Sequence, residues 1–139
     1  MMHVVAPMLI GVFIYVLFRD KNLLIFTWFQ VLGLDDYINY LRINIPLNNH
    51  FPKWLIYSLP DGIWIYSLTS LMLINWYSSL NKVKYFWIMI GPLIGLSLEF
   101  GQLIHIIPGT YDTNDFIICL FSSFIPFLFL NHNKERKTI

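Results

Sequence analysis

The chain has 139 residues, of which 57% are hydrophobic, 18% aromatic and 12% charged, whereas soluble domains are typically about 45–50% apolar and about 25% charged. A net charge of +1 excludes a nucleic-acid-binding module, and the aliphatic and aromatic content excludes a disordered chain. The single cysteine, Cys119, excludes a disulfide framework and a cysteine-rich zinc site. The composition therefore predicts a small all-α integral membrane protein, with residues 1–139 forming one domain.

Five apolar segments are candidates for membrane-spanning helices. Residues 1–18 are apolar apart from His3 and lack both the basic region and the cleavage site of a signal peptide, so we expect a retained anchor. Residues 23–37 have a short apolar part, so this second segment is either a full crossing or a re-entrant helix. The other three cover about residues 59–80, 85–107 and 116–130, and residues 38–53 suit a segment in the outer membrane interface.

The basic residues indicate the orientation of these spans. With five spans and a cytoplasmic C-terminus, seven of the nine basic residues fall on the cytoplasmic side, and only Arg42 and Lys53 fall outside. We therefore predict a polytopic transmembrane helix bundle with its N-terminus outside and its C-terminus in the cytoplasm. Four spans plus a re-entrant or interfacial second segment are the alternative.

Glu99 is the acid that these spans leave inside the membrane, where a charge costs at least about 2.5 kcal/mol. Gly91, Gly95, Glu99 and Gln102 follow one another at helical spacing and share one face of the fourth span. The Gly91-x-x-x-Gly95 pair predicts close packing of a neighbouring helix. The outer half of this face carries a carboxylate and a carboxamide. It is either a functional site or an interhelical hydrogen bond from Glu99 to Gln102 or to a nearby serine.

Five further acids are expected at the outer membrane face: Asp35, Asp36, Asp61, Asp112 and Asp115. Asp112 and Asp115 have capping-box spacing before the last span, and Ser58-Leu59-Pro60-Asp61 repeats that pattern before the third span. Helix capping accounts for each motif separately. Both helix starts nevertheless face the side that Glu99 and Gln102 approach, so we expect these side chains to converge.

Three other residue types have weaker interpretations. His105 is either an interfacial histidine or a group that reaches Asp112 as a proton relay or metal ligand. The carboxylates at 61, 99, 112 and 115 have the oxygen atoms that Mg²⁺ and Ca²⁺ prefer, but no loop has dedicated ligand spacing. We assign no metal site and no cofactor, and keep either cation at this acidic cluster as an alternative. Cys119 is expected to be a small core residue.

The order of these motifs resembles the VanZ-like family of small bacterial membrane proteins. The run Glu99-Phe100-Gly101-Gln102, the Pro108-Gly109 turn and Asp112-x-x-Asp115 match that family's Glu-x-x-Gln helix end, Pro-Gly-Arg turn and paired aspartates. Where the family has Asp-Lys-x-x-His, this chain reads Asp61-Gly62-Ile63-Trp64. The likeness covers roughly residues 58–125, with Thr110 and Cys119 in place of an arginine and an asparagine. It implies location in a bacterial inner membrane and a cell-envelope role, since the family is named after an accessory protein of teicoplanin resistance.

Two functions follow from these observations. In the first, an outward-facing cleft binds or modifies a lipid-linked or surface molecule, with Glu99 as general acid or base and Gln102 orienting it. The residues that would hold the ligand are Asp61, Trp64, Asp112, Asp115 and His105, with Arg42 on a phosphate. In the second, the chain is a non-catalytic accessory subunit, and another membrane protein or a second copy packs on the Gly91 and Gly95 face.

Overall fold

A computed structural model describes residues 2–44, 51–108 and 110–135, and the backbone alone over residues 130–135. Within these ranges the fold is all-α, with six helices and no strand: α1 (Met2–Phe18), α2 (Leu24–Val31), α3 (Asp35–Asn44), α4 (Lys53–Trp76), α5 (Val83–Leu103) and α6 (Thr113–Glu135). Three of the predicted features lie outside the described residues. They are Gly109 of the predicted turn, residues 45–50 of the interfacial segment, and the basic residues Arg136 and Lys137.

The four long helices form a bundle around α4, against which α1, α5 and α6 all pack. The end of α1 lies beside the beginning of α4, because Arg19 Nη2 donates a hydrogen bond of 3.1 Å to the Tyr57 carbonyl. The beginning of α1 lies near the end of α6, because His3 stacks on Phe129 with ring centroids 5.7 Å apart. The chain therefore runs along the bundle four times, and α1 begins at the end where α6 finishes. The prediction that five spans place these two ends on opposite sides is not confirmed.

Small residues set the packing of α5 on α4. A Cβ built on Gly91 would collide with the Thr69 side chain and lie 3.0 Å from the Thr69 backbone nitrogen, and one on Gly95 would collide with Ile65. The two helices run antiparallel in this register, and both glycines are buried. The glycine face is thus filled by α4 of the same chain, which corrects the prediction that a partner protein or a second copy packs there.

The second predicted span is two short helices at the end of the bundle where α1 finishes. The eight residues of α2 extend only about 12 Å, too short for a hydrocarbon core of about 30 Å. Gly33, with φ of 68°, ends α2, as the Leu34 N–H reaches the Phe29 carbonyl at 2.8 Å and the Gly33 N–H reaches the Gln30 carbonyl at 3.0 Å. These are the two hydrogen bonds of a Schellman motif. The chain then turns directly into α3.

The third predicted span starts earlier than expected. α4 begins at Lys53, after Pro52 at the N-cap, rather than at about Leu59, and it ends at Trp76. Ser58 and Asp61 therefore lie in the interior of a helix rather than at its start. Because a capping residue has to stand at the first turn, the capping interpretation of Asp61 is wrong.

One described helix, α5, is long and apolar enough to cross a membrane, and 33% of its most apolar window is buried inside the protein. Two further apolar helices are shorter, namely α1 and the Thr113–Phe129 part of α6. The described core is small, since eight apolar side chains are buried beside six polar ones. Most large hydrophobic side chains face outward, including Leu9, Phe121 and Leu128.

Candidate functional site

A cleft of about 360 Å³ opens at the end of the bundle where α1 and α5 finish and α4 and α6 begin. Its shape follows from the topology, because four helix ends meet there. The described residues that line it are Arg19, Lys53, Trp54, Tyr57, Ser58, Asp61, Glu99, Gln102, Thr110, Asp112 and Asp115. Five of the residues predicted from the sequence are therefore brought together: Asp61, Glu99, Gln102, Asp112 and Asp115.

Asp61 and Glu99 meet because of the register between α4 and α5. Gly91 opposes Thr69 and Gly95 opposes Ile65, so a step of four residues along α5 matches a step of four residues back along α4. The next step in this antiparallel series places Glu99 opposite Asp61. The close approach of the helices at the two glycines thus brings two carboxylates to the same wall of the cleft.

Arg19 is the principal cation of the cleft. Its Nη2 lies 3.4 Å from Asp61 Oδ2, and its guanidinium carbon lies 4.9 Å from the centre of the Tyr57 ring. The Arg19 side chain is 20% exposed and that of Asp61 49%, so the ion pair stays in contact with the open cleft. Sequence reasoning missed Arg19, because the five-span topology put residues 19–22 on the opposite side from Asp61.

Glu99 is the most buried charged residue in the described chain, with 7% of its surface exposed. Its Oε2 atom has no hydrogen-bond partner among the described residues. Asp115, Asp61 and Asp112 are all close enough to repel its negative charge. The alternative was that Glu99 links two helices by a hydrogen bond to Gln102 or to a serine. No such hydrogen bond forms among the described residues.

Three more polar atoms of described cleft residues lack a partner, and one of them is Arg19 Nε. Ser58 Oγ on α4 and Asp115 Oδ1 on α6 are both buried without a hydrogen bond among the described residues. An unsatisfied buried polar atom costs about 1–3 kcal/mol, so a set of them in one cleft makes that cleft the candidate functional site.

Asp112 has a structural role as well as a place in the cleft. Its Oδ1 accepts a 2.9 Å hydrogen bond from the Asn114 backbone N–H and so caps the N-terminus of α6. Asp115 stands in the first turn of α6, where a negative charge interacts favourably with the helix dipole. Capping explains Asp112, whereas the unpartnered oxygen of Asp115 remains available to a ligand.

Arg42 lies outside the cleft, contrary to the prediction that it contacts the ligand. Its Nε donates a 2.8 Å hydrogen bond to the Val16 carbonyl, and Nη2 donates to the Arg19 carbonyl. The guanidinium also lies 4.9 Å from the centre of the Phe26 ring. Arg42 therefore satisfies the last carbonyls of α1 and ties α2 and α3 to it. Burial lowers the pKa of Arg42, and the nearby Asp20 carboxylate partly offsets that effect.

His105 and Trp64 also lie outside the acidic cleft. His105 has φ of 60° and ends α5, and its Nδ1 lies 3.1 Å from the Gln102 carbonyl, so a relay from His105 to Asp112 is not formed. Trp64 lines a neighbouring cavity of about 270 Å³ that shares Asp61 with the cleft. Cys119 is buried, at 2% exposure.

The site is a mixed-charge cleft with an excess of carboxylates. No group of three or more histidine, cysteine, aspartate or glutamate side chains is placed to hold a metal ion within the described part of the chain. Fold and site together define an all-α helix bundle with an acidic cleft at one end. No family model matches the chain, and neither a curated protein nor a solved structure matches it.

Proposed function

We propose that the chain is a helical integral membrane protein in which α1, α4, α5 and α6 cross the bilayer. The distribution of side chains supports this, because polar groups such as Ser67, Thr69 and Ser123 are buried while large apolar ones face outward. An exposed apolar surface of this extent needs a lipid or protein covering. The core helix of a soluble bundle is mostly buried, whereas only 33% of the apolar window of α5 is.

We propose further that the cleft faces the outside of a bacterial inner membrane. The far end of the bundle has Lys82 in the loop between α4 and α5, Lys84 in the first turn of α5, and Lys134 in the last turn of α6. Positive charge near span ends favours the cytoplasmic side. Trp76 and Trp87 stack at that end with ring centroids 5.5 Å apart, as expected of an interfacial aromatic belt. Arg19 and Lys21 then join Arg42 and Lys53 on the outer side, so the distribution of the nine basic residues changes from seven against two to five against four.

The proposed activity is binding of the polar part of a lipid-linked or surface molecule in the cleft, in keeping with the VanZ-like resemblance and its cell-envelope role. The observation that carries this proposal is the buried Glu99 carboxylate, whose Oε2 is unpartnered beside three other carboxylates. Ionisable residues within membrane helices are costly and generally functional. Glu99 is also the cleft residue best suited to exchange a proton with the ligand.

A susceptibility assay tests this proposal. Expression of the chain in a teicoplanin-susceptible bacterium should raise the inhibitory concentration of the antibiotic, and Glu99→Gln should abolish the rise at equal protein level in the membrane. Asp36→Asn, a matched acid-to-amide change at an exposed position away from the cleft, should leave the rise intact. Protection that persists in Glu99→Gln would contradict the proposed site, and no rise with the unmodified chain would contradict the link to envelope resistance.

A further inference from the structure

The acidic cleft is joined to a second, apolar cavity. This cavity of about 270 Å³ lies between α1, α2 and α4, and the described residues that line it are Val12, Tyr15, Val16, Ile25, Asp61 and Trp64. Asp61 is the only charged residue among them, and it also lines the cleft. A ligand that fills both spaces therefore has a polar part and an apolar part joined near Asp61.

The charges are arranged in a definite order from the apolar cavity into the cleft. Tyr15 lines the cavity, and the Arg19 guanidinium carbon lies 5.2 Å from the centre of the Tyr15 ring. Arg19 in turn contacts Asp61, and Glu99 with its unpartnered oxygen stands across from Asp61 on α5. The order is thus an apolar chamber, then the Arg19–Asp61 ion pair at its boundary with the cleft, then the unpartnered carboxylate oxygens of Glu99 and Asp115.

The unpartnered atoms have the same order. Arg19 Nε is a buried donor without a partner, next to the apolar cavity, and Glu99 Oε2 and Asp115 Oδ1 are buried acceptors without a partner. A cationic hydrogen-bond donor such as a guanidinium pairs with an anionic group, and carboxylate acceptors pair with an ammonium group. The complementary ligand has a tail, then an anion, then a cation.

We propose that the ligand of the cleft is a zwitterionic membrane lipid with a phosphoethanolamine head. This inference rests on the proposed function of the cleft. Its acyl chain enters the apolar cavity between α1 and α4, its phosphate pairs with Arg19, and its primary ammonium pairs with Glu99 and Asp115. An anionic lipid without an ammonium group leaves the carboxylates uncompensated and is disfavoured.

Native mass spectrometry of the detergent-solubilised full chain tests this inference. Phosphatidylethanolamine and phosphatidylglycerol with identical acyl chains are added in equal amounts, and the lipid retained by the protein is measured. We expect phosphatidylethanolamine to be retained about tenfold more strongly, the effect of one charge-assisted contact. Equal or preferred retention of phosphatidylglycerol would overturn the inference.

Two matched pairs of variants separate the head from the tail. Glu99→Gln should reduce the preference to about twofold or less, because one ammonium partner is lost, while Asp36→Asn should not change it. Val12→Trp should fill the apolar cavity and lower retention of phosphatidylethanolamine. Val5→Trp, at an exposed position of the same helix, should have no effect.

The outcomes distinguish this inference from the proposed function. Retention that falls in Glu99→Gln but is unchanged in Val12→Trp would refute the lipid tail and leave the polar cleft as a binding site. Retention of both lipids that is unchanged in Glu99→Gln would refute the inference and the proposed function together.

Discussion

His105 shows how one residue can have a structural role where a catalytic one was expected. It occupies the left-handed position after α5, where the Ile106 N–H reaches the Gly101 carbonyl at 2.9 Å and the His105 N–H reaches the Gln102 carbonyl at 3.1 Å. These are the hydrogen bonds of a Schellman motif, in which glycine is the usual residue at the left-handed position. A side chain in that conformation costs of order 1 kcal/mol, so His105 is retained there at some cost in stability.

The first prediction concerns this position. His105→Gly should raise the free energy of unfolding by about 0.5 kcal/mol, since relief of backbone strain exceeds the added entropy of a glycine in the unfolded chain. Gly33→Ala at the equivalent position after α2 should lower it by about 1 kcal/mol, because alanine resists the φ of 68° there. Unfolding in detergent followed by circular dichroism measures both. A loss of stability in His105→Gly would mean that its ring contact to Gln102 outweighs the strain.

The sequence identified all four acidic residues that line the cleft in the described part of the chain but missed their cation, Arg19. Glu99 stands out because a charge in an apolar helix is rare, and its helical spacing from Gln102 is readable without a structure. Arg19 gives no such signal, since it follows an apolar segment as basic residues often do. Its place beside Asp61 depends on whether the chain crosses once or twice between them, and spacing within one helix cannot determine that.

At the level of helices, the two glycines on α5 differ in what opposes them. A Cβ on Gly91 would meet the Thr69 backbone, with its nitrogen at 3.0 Å and its Cα at 3.2 Å, and that backbone belongs to a packed helix. A Cβ on Gly95 would meet only the side chain of Ile65, which can change its rotamer. The same motif therefore has one rigid and one adaptable contact.

The second prediction follows from that difference. Gly91→Ala should destabilise the bundle by about 2 kcal/mol, since the helices must separate, whereas Gly95→Ala should be within about 0.5 kcal/mol of the unmodified chain because improved helix propensity offsets the repacking of Ile65. Thermal unfolding of the two variants in the same detergent measures the difference. Equal losses would indicate that the separation of α4 and α5 is fixed by contacts other than Thr69.

The helix boundaries could be predicted only in part. The signal for the end of α2 is local, because Gly33 followed by Asp35 and Asp36 is a typical helix end and helix start, and it argues against one helix over residues 23–37. The beginning of α4 has a weaker signal, since residues 53–58 mix aromatic, basic and apolar side chains and suit an interfacial segment equally well. Tertiary packing against α1 extends that helix to Lys53.

At the scale of the whole molecule, the number of crossings determines which charged residues share an end. Five crossings put Arg19 with Lys82 and Lys84, whereas the four passes of the bundle put it with Asp61, Asp112 and Asp115. Composition and charge indicated a helical membrane protein. They did not determine the number of crossings, because the apolar part of residues 23–37 is too short to identify a full crossing and too long to exclude one.

The last prediction tests that count directly through cysteine labelling in a Cys119→Ser background, where the buried native thiol is removed. Asn22→Cys, Thr113→Cys and Ser78→Cys place single thiols at exposed positions. With four crossings and the cleft outside, a membrane-impermeant maleimide should label positions 22 and 113 on intact cells and position 78 only after permeabilisation. Five crossings instead group position 22 with position 78. That pattern would separate Arg19 from Asp61 by the full bilayer and remove the cation from the cleft, because an ion pair of 3.4 Å cannot form across about 30 Å of hydrocarbon.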